Sequence, residues 1–277
     1  MPDGRALCMD CARTAIIDSS EAQPLYLDCI DFMEKELGLC IPPGMRQVPV
    51  LAVDIPSLNE QSRNTRAQYH ATAKPSNPSG IGITRGLTLK ECGTVNHYSG
   101  GSVRWDPLNF CFVSTPPQIY HTEEIRAASA VLVLMGLPTD LTASILAHEA
   151  FHVWCSLTKG FPFVLPPEVE EGMCQLMAYK YLEYIRENKD KHAFRRSESQ
   201  KNRTSITSSP NGQIINKTLS PDEWDARLRA FLSNQIETDT NPVYGGGFRQ
   251  AAECYAALGL DVLLQHIKDY KQFPRVS

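Results

Sequence analysis

A short run near the middle of the chain constrains the fold more than any other: Ile145-Leu-Ala-His-Glu-Ala-Phe-His-Val-Trp154, with the pattern H-E-x-x-H. On a helix, His148 and His152 differ by about 400° of rotation and ~6 Å of rise, so both imidazoles lie on one face. Zinc suits this pair, because a catalytic zinc needs only three protein ligands and keeps one position for water. Glu149 can take a proton from that water. The alternative is an ordinary helix surface that carries two histidines.

The residues around the motif predict two consecutive helices. An N-cap at Thr139 or Asp140 opens the first helix, and Lys159-Gly160 ends it. Proline and acidic residues open the second helix at about Leu165. Positions at helical spacing predict that the motif lies on the buried face of the first, amphipathic helix: Leu141, Ile145, His148, His152 and Cys155.

The second helix supplies a candidate third ligand. Eighteen residues lie between His152 and Glu171, an arrangement that resembles the gluzincin metallopeptidases, in which a glutamate on a second helix completes the zinc site. The resemblance implies an α+β fold with a mixed sheet packed on the H-E-x-x-H helix, followed by C-terminal helices. Glu170, about 100° away, is predicted nearer the helix flank, where it orients a ligand or meets solvent. Gln175 is predicted to support a ligand from the same face as Glu171.

A zinc peptidase also needs a hydrogen-bond donor for the tetrahedral oxyanion. Tyr244, in the glycine-rich turn before the last helix, is the candidate, and its alternative role is packing. The gluzincin aminopeptidases bind the free amine of their substrates with a Gly-x-Met-Glu-Asn segment. This chain has no such segment, so endopeptidase activity is preferred to aminopeptidase activity. The rival hypothesis from another class is a catalytically silent ubiquitin-pathway adaptor or LIM-type scaffold, in which zinc is structural only and has four protein ligands.

Composition excludes some classes of function. The net charge of -4 gives no reason to expect nucleic acid, and no apolar run approaches the ~20 residues that span a bilayer. The N-terminus does not resemble a signal peptide. Nine cysteines without a disulfide-like framework fit a reducing compartment. We therefore expect a cytoplasmic protein with nuclear access.

Cys8 and Cys11 form one C-x-x-C pair, which is half of a structural zinc site. Asp28, Cys29 or Asp31 are candidates for the missing ligands, and the alternative is that all of these thiols are free. We assign residues 1–40 to a remnant of a LIM-like zinc module with a short helix. Residues 41–277 form the predicted peptidase domain, with a disordered basic insertion at about 188–221.

Periodicity predicts the remaining elements less sharply. Helices are predicted over Asp28–Leu37, Leu58–Ala71 and Asp222–Glu237, and one long helix after Asn241. Strands are predicted over Val48–Asp54, Ile81–Leu89, Val95–Tyr98 and Phe110–Ser114, with Pro49 indicating an edge strand. The segment Ile119–Met135 fits a strand or a helix.

Several motifs in the same order resemble the DA-one proteins, plant LIM-domain peptidases that ubiquitin activates and that limit organ growth. The matching stretches are Cys8-Met-Asp-Cys11, Gln23-Pro-Leu-Tyr-Leu27, Thr84-Arg-Gly-Leu87, Gly136-Leu-Pro138, Ser144-Ile-Leu-Ala-His-Glu149, Pro167-Glu-Val-Glu-Glu-Gly-Met-Cys-Gln175, Gln235-Ile-Glu-Thr-Asp239 and Pro242-Val-Tyr-Gly-Gly-Gly-Phe-Arg249. The resemblance implies a zinc-dependent endopeptidase that cleaves regulatory proteins, including ubiquitin ligases and deubiquitinases, with ubiquitin as a further partner.

Overall fold

The computed structural model describes residues 1, 3–69, 85–106, 108–188 and 220–276. Its helices are α1 (Met9–Arg13), α2 (Ser19–Lys35), α3 (Ile55–Tyr69), α4 (Thr139–Leu157), α5 (Pro167–Glu187), α6 (Pro221–Thr238), α7 (Gly247–Leu258) and α8 (Leu260–Tyr270). A short 3-10 helix covers Met45–Gln47, and a π-helical turn covers Pro242–Gly246. None of the described helices combines the length and apolarity needed to cross a bilayer.

A three-stranded mixed sheet lies beside the helices, in the order β2-β6-β3. Its central strand β6 pairs in parallel with β2 and antiparallel with β3. The strands are β1 (Ala15–Ile16), β2 (Val50–Val53), β3 (Gly86–Tyr98), β4 (Ser102–Asp106), β5 (Cys111–Thr115), β6 (Ile119–Leu134) and β7 (Leu137–Pro138). The combination of helices and a mixed sheet confirms the predicted α+β class, and β2 lies at a sheet edge as Pro49 indicated.

The run Ala130–Leu134 is strand rather than helix because both faces of β6 are covered there. Val131 and Val133 belong to the main core between the sheet and the helices. Leu132 and Leu134 belong to a smaller cluster with Leu58 of α3. A strand that is buried on both faces consists of consecutive apolar residues. Periodicity alone cannot distinguish such a run from a buried helix.

Helix α4 runs through the centre of the main core, and this position corrects two predictions. Its N-cap is Pro138 rather than Thr139 or Asp140. Asp140 is buried and accepts a hydrogen bond from Nη1 of Arg229 at 2.8 Å. On the predicted buried face, Cys155 is buried, but Leu141, Ile145, His148 and His152 are only partly buried. The other sides of the helix are more buried, with Leu146, Ala147, Ala150, Phe151 and Val153 all in the core. The histidine side borders a cleft, and the other sides pack in the core.

Helix α2 begins at Ser19 instead of Asp28 and includes Pro24. Asp18 caps it by accepting a hydrogen bond from the backbone N–H of Ser20. The buried side chains of α2 include Tyr26, Cys29, Ile30 and Met33, which follow helical spacing and belong to the same core as α4. The domain division at residue 40 stays a prediction, but α2 packs within the main core.

Other boundaries differ for local reasons. The two strands predicted over 81–89 and 95–98 are one strand, β3, because its pairing with β6 continues through Gly93. The short exposed strand β4 has no counterpart among the predicted strands. The single predicted last helix is two helices, since Gly259 has φ +76° and ends α7.

The burial of side chains in α6 does not follow their polarity. Phe231 is exposed, while the charged residues Asp225 and Arg229 are buried.

Some predictions fall outside the described residues. They are the last two residues of the helix predicted over Leu58–Ala71, the first residues of the strand predicted from Ile81, and nearly all of the basic insertion at about 188–221. These predictions stay untested.

Candidate active site

An open cleft of about 910 Å³ is lined by β3 and by several helices, and its walls come from distant parts of the chain. Strand β3 and the helices α4, α5 and α6 all supply lining residues, and so does the turn that carries Tyr244. His148, Glu149, His152 and Glu171 all line this cleft. The tertiary structure therefore brings the predicted ligands, the predicted base and the predicted oxyanion donor to one cavity.

Three side-chain atoms converge at the floor of the cleft. Nε2 of His148 lies 3.3 Å from Nε2 of His152. Oε2 of Glu171 lies 3.1 Å from the first of these nitrogens and 3.7 Å from the second. Ligand atoms held about 2.0–2.1 Å from a tetrahedral zinc ion are about 3.3–3.4 Å apart. The observed spacing matches such a set.

The burial and the charge of the Glu171 carboxylate also favour a metal site. Its Oε2 is buried and accepts no hydrogen bond with acceptable geometry from any described residue. Burial alone raises the pKa of this carboxyl, but His152 and His148 lower it well below its ordinary value. An ionised, buried oxygen without a hydrogen-bond donor is costly unless a cation lies beside it. The two imidazoles and this oxygen therefore fit a divalent metal ion.

Glu170 faces the histidines as well, but it contacts the other side of a ring. Its Oε1 lies 2.8 Å from Nδ1 of His152 and accepts a hydrogen bond from Nζ of Lys90 at 2.6 Å. Burial acts to raise the pKa of Glu170, and His152 and Lys90 more than offset it, lowering that pKa to about 2. Of the two predicted roles for Glu170, the structure favours orienting a ligand. No local pattern marks Lys90, because it acts from a distant strand.

Glu149 is buried between α4 and β3. Its Oε2 accepts a hydrogen bond from Oγ1 of Thr88 at 2.7 Å. Gly86 leaves the space for this carboxylate, since a Cβ there would lie 2.6 Å from Oε1 of Glu149 and 2.6 Å from a methyl carbon of Ile145. Sequence analysis did not identify Thr88 or Gly86. The order of residues in a strand carries no signal that it will face a particular helix.

Tyr244 lies in the turn just before α7, and α7 crosses α5 closely. A Cβ on Gly172 of α5 would lie 2.5 Å from the backbone carbon and oxygen of Gly247, the first residue of α7. Gly172, directly after Glu171, therefore lets α5 and α7 approach closely. The turn preceding α7 is capped by Asn241, whose Oδ1 accepts from the backbone N–H of Tyr244 at 3.2 Å. Gln175 also lines the cleft, and its support of a ligand stays a prediction.

Cys174 is a further candidate ligand that the sequence analysis missed. Its Sγ and one ring nitrogen each of His148 and His152 all lie within 4.8 Å of one another. The thiol is buried, and burial raises its pKa to about 12. Both Glu171 and Cys174 therefore lie close enough to the two histidines to be a third metal ligand. We favour Glu171, because the neighbouring histidines lower the pKa of its carboxyl, whereas burial raises the pKa of the Cys174 thiol and keeps it protonated.

Cys8 and Cys11 do not line the cleft. Cys8 is exposed and caps α1, where its Sγ accepts a hydrogen bond from the backbone N–H of Cys11 at 3.4 Å. Among the described residues, no third histidine, cysteine or carboxylate converges with them, and Cys29 is buried against Ala143 of α4. A structural zinc at this pair stays a prediction.

Comparison with known proteins gives one consistent family. The family model described as "DA1-like: Protein DA1" matches residues 44–270. Protein DA1-related 1 of Arabidopsis thaliana is 34% identical over 285 residues, which cover 99% of this chain and 45% of that protein. Protein DA1 of the same plant is 34% identical over 277 residues, covering 98% of this chain and 46% of that protein. The rice (Oryza sativa subsp. japonica) LIM domain-containing protein HDR3 is 34% identical over 273 residues, which cover 98% of this chain and 50% of that protein.

The chain therefore spans about half the length of these curated relatives. No solved structure matches it.

Proposed function

Because this chain belongs to the DA1-like family, we propose that it is a zinc-dependent endopeptidase of the gluzincin type. The observation that carries the proposal is the convergence of His148 Nε2, His152 Nε2 and the buried Glu171 Oε2 on one point of an open cleft. Its substrates would be regulatory proteins of ubiquitin-linked growth control, such as ubiquitin ligases and deubiquitinases, with ubiquitin as a partner. This setting rests on the family resemblance, and the proposed cytoplasmic location with nuclear access rests on the nine scattered cysteines.

His148, His152 and Glu171 would hold the zinc ion. When bound, zinc polarises a carbonyl and makes water a better nucleophile near neutral pH. Glu170 and Lys90 hold the ring of His152 from its Nδ1 side, so that Nε2 faces the cleft. Such outer partners fix the orientation of a ligand ring and raise its basicity.

Glu149 acts as general base and then as general acid. Thr88 donates to its Oε2 and Gly86 leaves room for the side chain, so the carboxylate is held against the cleft wall. Its Oε1 takes the proton of the attacking water and then delivers a proton to the nitrogen of the leaving amine. The hydroxyl of Tyr244, at the cleft rim, donates to the oxygen of the scissile carbonyl as negative charge develops there.

Metal removal tests the proposal on the protein as it exists. The assay uses fluorescein-labelled casein, an unfolded protein that many endopeptidases cleave, with zinc content measured in parallel. Chelation with 1,10-phenanthroline should abolish cleavage while far-UV circular dichroism is retained, and added zinc should restore it. Cleavage that continues in the metal-free protein would overturn the proposal.

A scaffold with a structural zinc is the second candidate function, and Cys174 is the observation that favours it. With the Cys174 thiolate as a fourth protein ligand, the site would have no open position for water. Replacement of the metal by cobalt(II) separates the two functions. A sulfur-to-cobalt charge-transfer band that disappears in Cys174→Ser, together with unfolding on chelation, would favour the scaffold. Absence of that band favours the peptidase.

A further inference from the structure

The cleft extends past β3 to α3, and both Ser62 of α3 and Arg85 line it. Leu58 and Ser62 are four residues apart and share one face of α3, and Leu58 packs in the smaller apolar cluster with Leu87 of β3. Successive side chains of a strand point to opposite faces. Arg85 continues β3, since its carbonyl accepts a hydrogen bond from the backbone N–H of Leu134, and it shares the α3 side of the strand with Leu87. Arg85 and Ser62 therefore lie at the same end of the cleft.

Both residues carry polar groups that no described residue satisfies. Arg85 is exposed, and its guanidinium forms no ion pair within the described part of the chain. Ser62 is only 8% exposed, and its hydroxyl has no hydrogen-bond partner among the described residues. Buried hydroxyls usually have such a partner, so an unpaired one beside a cleft is available to a ligand. A guanidinium and a hydroxyl both donate hydrogen bonds, which fits an anion.

Lys90, another basic residue of the cleft, is already paired. Its Nζ lies 2.6 Å from Oε1 of Glu170, and 17% of its side chain is exposed. Among the described residues, Arg85 has no such acid. A planar guanidinium can bind both oxygens of a carboxylate, which makes the pair strong and fixes its direction. Arg85 is thus suited to an acidic group that the substrate supplies.

We propose that Arg85 and Ser62 form a subsite for an anionic side chain of the substrate, so that the protein prefers acidic segments of the proteins it cleaves. This inference rests on the proposed peptidase function, which makes the cleft the binding site of the substrate. Thr88 contacts the proposed base Glu149, and Arg85 precedes Thr88 by three residues, a distance of roughly 10 Å at ~3.4 Å per residue. An extended substrate covers that distance in about three residues, which places the selected residue about three residues from the scissile bond.

Charge reversal at Arg85 tests this subsite by a change of preference instead of a simple loss. Pools of fluorescein-labelled decapeptides share a randomised neutral sequence, carry a C-terminal amide and differ at one central residue, which is Glu, Gln or Lys. Binding is measured by anisotropy in the Glu149→Gln background, so no turnover is required. The Glu pool should bind about three- to fivefold more tightly than the Gln pool, as expected of one exposed ion pair. With Arg85→Glu, the Lys pool should bind more tightly than the Gln pool, and with Arg85→Gln the preference for Glu should disappear.

A carboxylate and a phosphate both fit the two donors, so a further pool carries phosphoserine at the central position. Tighter binding of this pool than of the Glu pool, lost in Arg85→Gln, would support the subsite with phosphate as its anion. Ser62→Ala should reduce the preference for an anion without removing it. Raising the salt from about 0.05 M to about 1 M should reduce it as well, because salt screens the charges.

Arg63→Glu is the matched control, because Arg63 is exposed on α3, is not among the residues that line the cleft, and gives the same change of charge. It should leave the ratio between the Glu and Gln pools unchanged. A preference for Glu that persists in Arg85→Gln would mean that the carboxylate binds elsewhere, at the metal for example, and overturns the proposal. So does an equal loss in Arg63→Glu. Failure of the peptidase function would appear separately, as wild-type protein that cleaves neither casein nor these peptides, while the anisotropy still tests the subsite.

Discussion

Nδ1 of His152 lies 2.8 Å from Oε1 of Glu170, so this acid contacts the ring nitrogen that faces away from the converging atoms. Nε2 of the same ring faces Glu171, whose Oε2 lies 3.7 Å away. The two adjacent acids of α5 thus contact opposite nitrogens of one imidazole. Glu171 is placed to share a metal ion with the ring, and Glu170 is placed to hold the ring still.

Glu171→Ala should lose most of its zinc, because it removes one of three candidate ligands. Glu170→Ala should retain zinc with an affinity lowered by ~10–100-fold, the usual effect of removing a partner of a ligand. Metal content of the purified proteins and chelator competition measure both. A zinc-free Glu170→Ala beside a loaded Glu171→Ala would reverse the roles of the two acids.

Glu149→Gln should keep the fold and the zinc but lose cleavage, since an amide retains the shape and cannot accept the proton of water. General acid–base catalysis typically contributes ~10²–10⁴-fold to a rate. Casein cleavage is compared with that of Glu168→Gln, the same substitution at an exposed position of α5. Equal turnover by Glu149→Gln and wild type would remove this residue from the mechanism.

Thr88→Ala should lower the rate of cleavage without lowering zinc content, because Oε2 of Glu149 loses the hydroxyl that donates to it at 2.7 Å. Thr88→Ser restores a donor and should recover most of the activity. The measurements are kcat and KM on casein for both variants. If serine fails to rescue the loss, the threonine acts by packing, and its hydrogen bond is not what positions Glu149.

Tyr244→Phe should reduce kcat while zinc content stays unchanged, if the hydroxyl stabilises the oxyanion. Loss of one such donor typically costs ~10²–10³-fold. Tyr270→Phe, at an exposed position of α8, is the control and should be neutral. A wild-type rate for Tyr244→Phe would assign this tyrosine to packing at the cleft rim.

Gly172→Ala should destabilise the protein, because its Cβ would lie 2.5 Å from the backbone of Gly247, which has no flexible end that can move away. Overpacking of this kind costs about 1–3 kcal/mol or more. One kcal/mol lowers the melting temperature by about 2–4 °C in a domain of 150–250 residues. Gly93→Ala, with no atom within 4 Å of the added carbon, should melt close to wild type. Equal melting of both variants would contradict the tight crossing.

Elements with a strong local period are the ones that the amino-acid sequence predicts well. Helices α4 and α5 and the pairing of His148 with His152 follow from spacing, because residues four apart share a helix face in any context. The histidine pair and the proposed base Glu149 are therefore identifiable from the residue order, whereas Glu171 was identified through the resemblance to the gluzincins. Which side of α4 is buried cannot be identified in the same way. A helix surrounded by other elements is apolar on nearly all sides, and its polar side faces a cleft.

The amino-acid order alone was enough to determine which residues of α4 share a helix face, because helical spacing acts over a few residues. Tertiary packing decided everything that depends on distance between elements. It placed Thr88 and Lys90 of β3 beside Glu149 and Glu170, brought Cys174 to the histidines, and allowed Gly172 to meet Gly247. Such contacts depend on how strands and helices fill one core, and no pattern along a single segment records which surface it will meet.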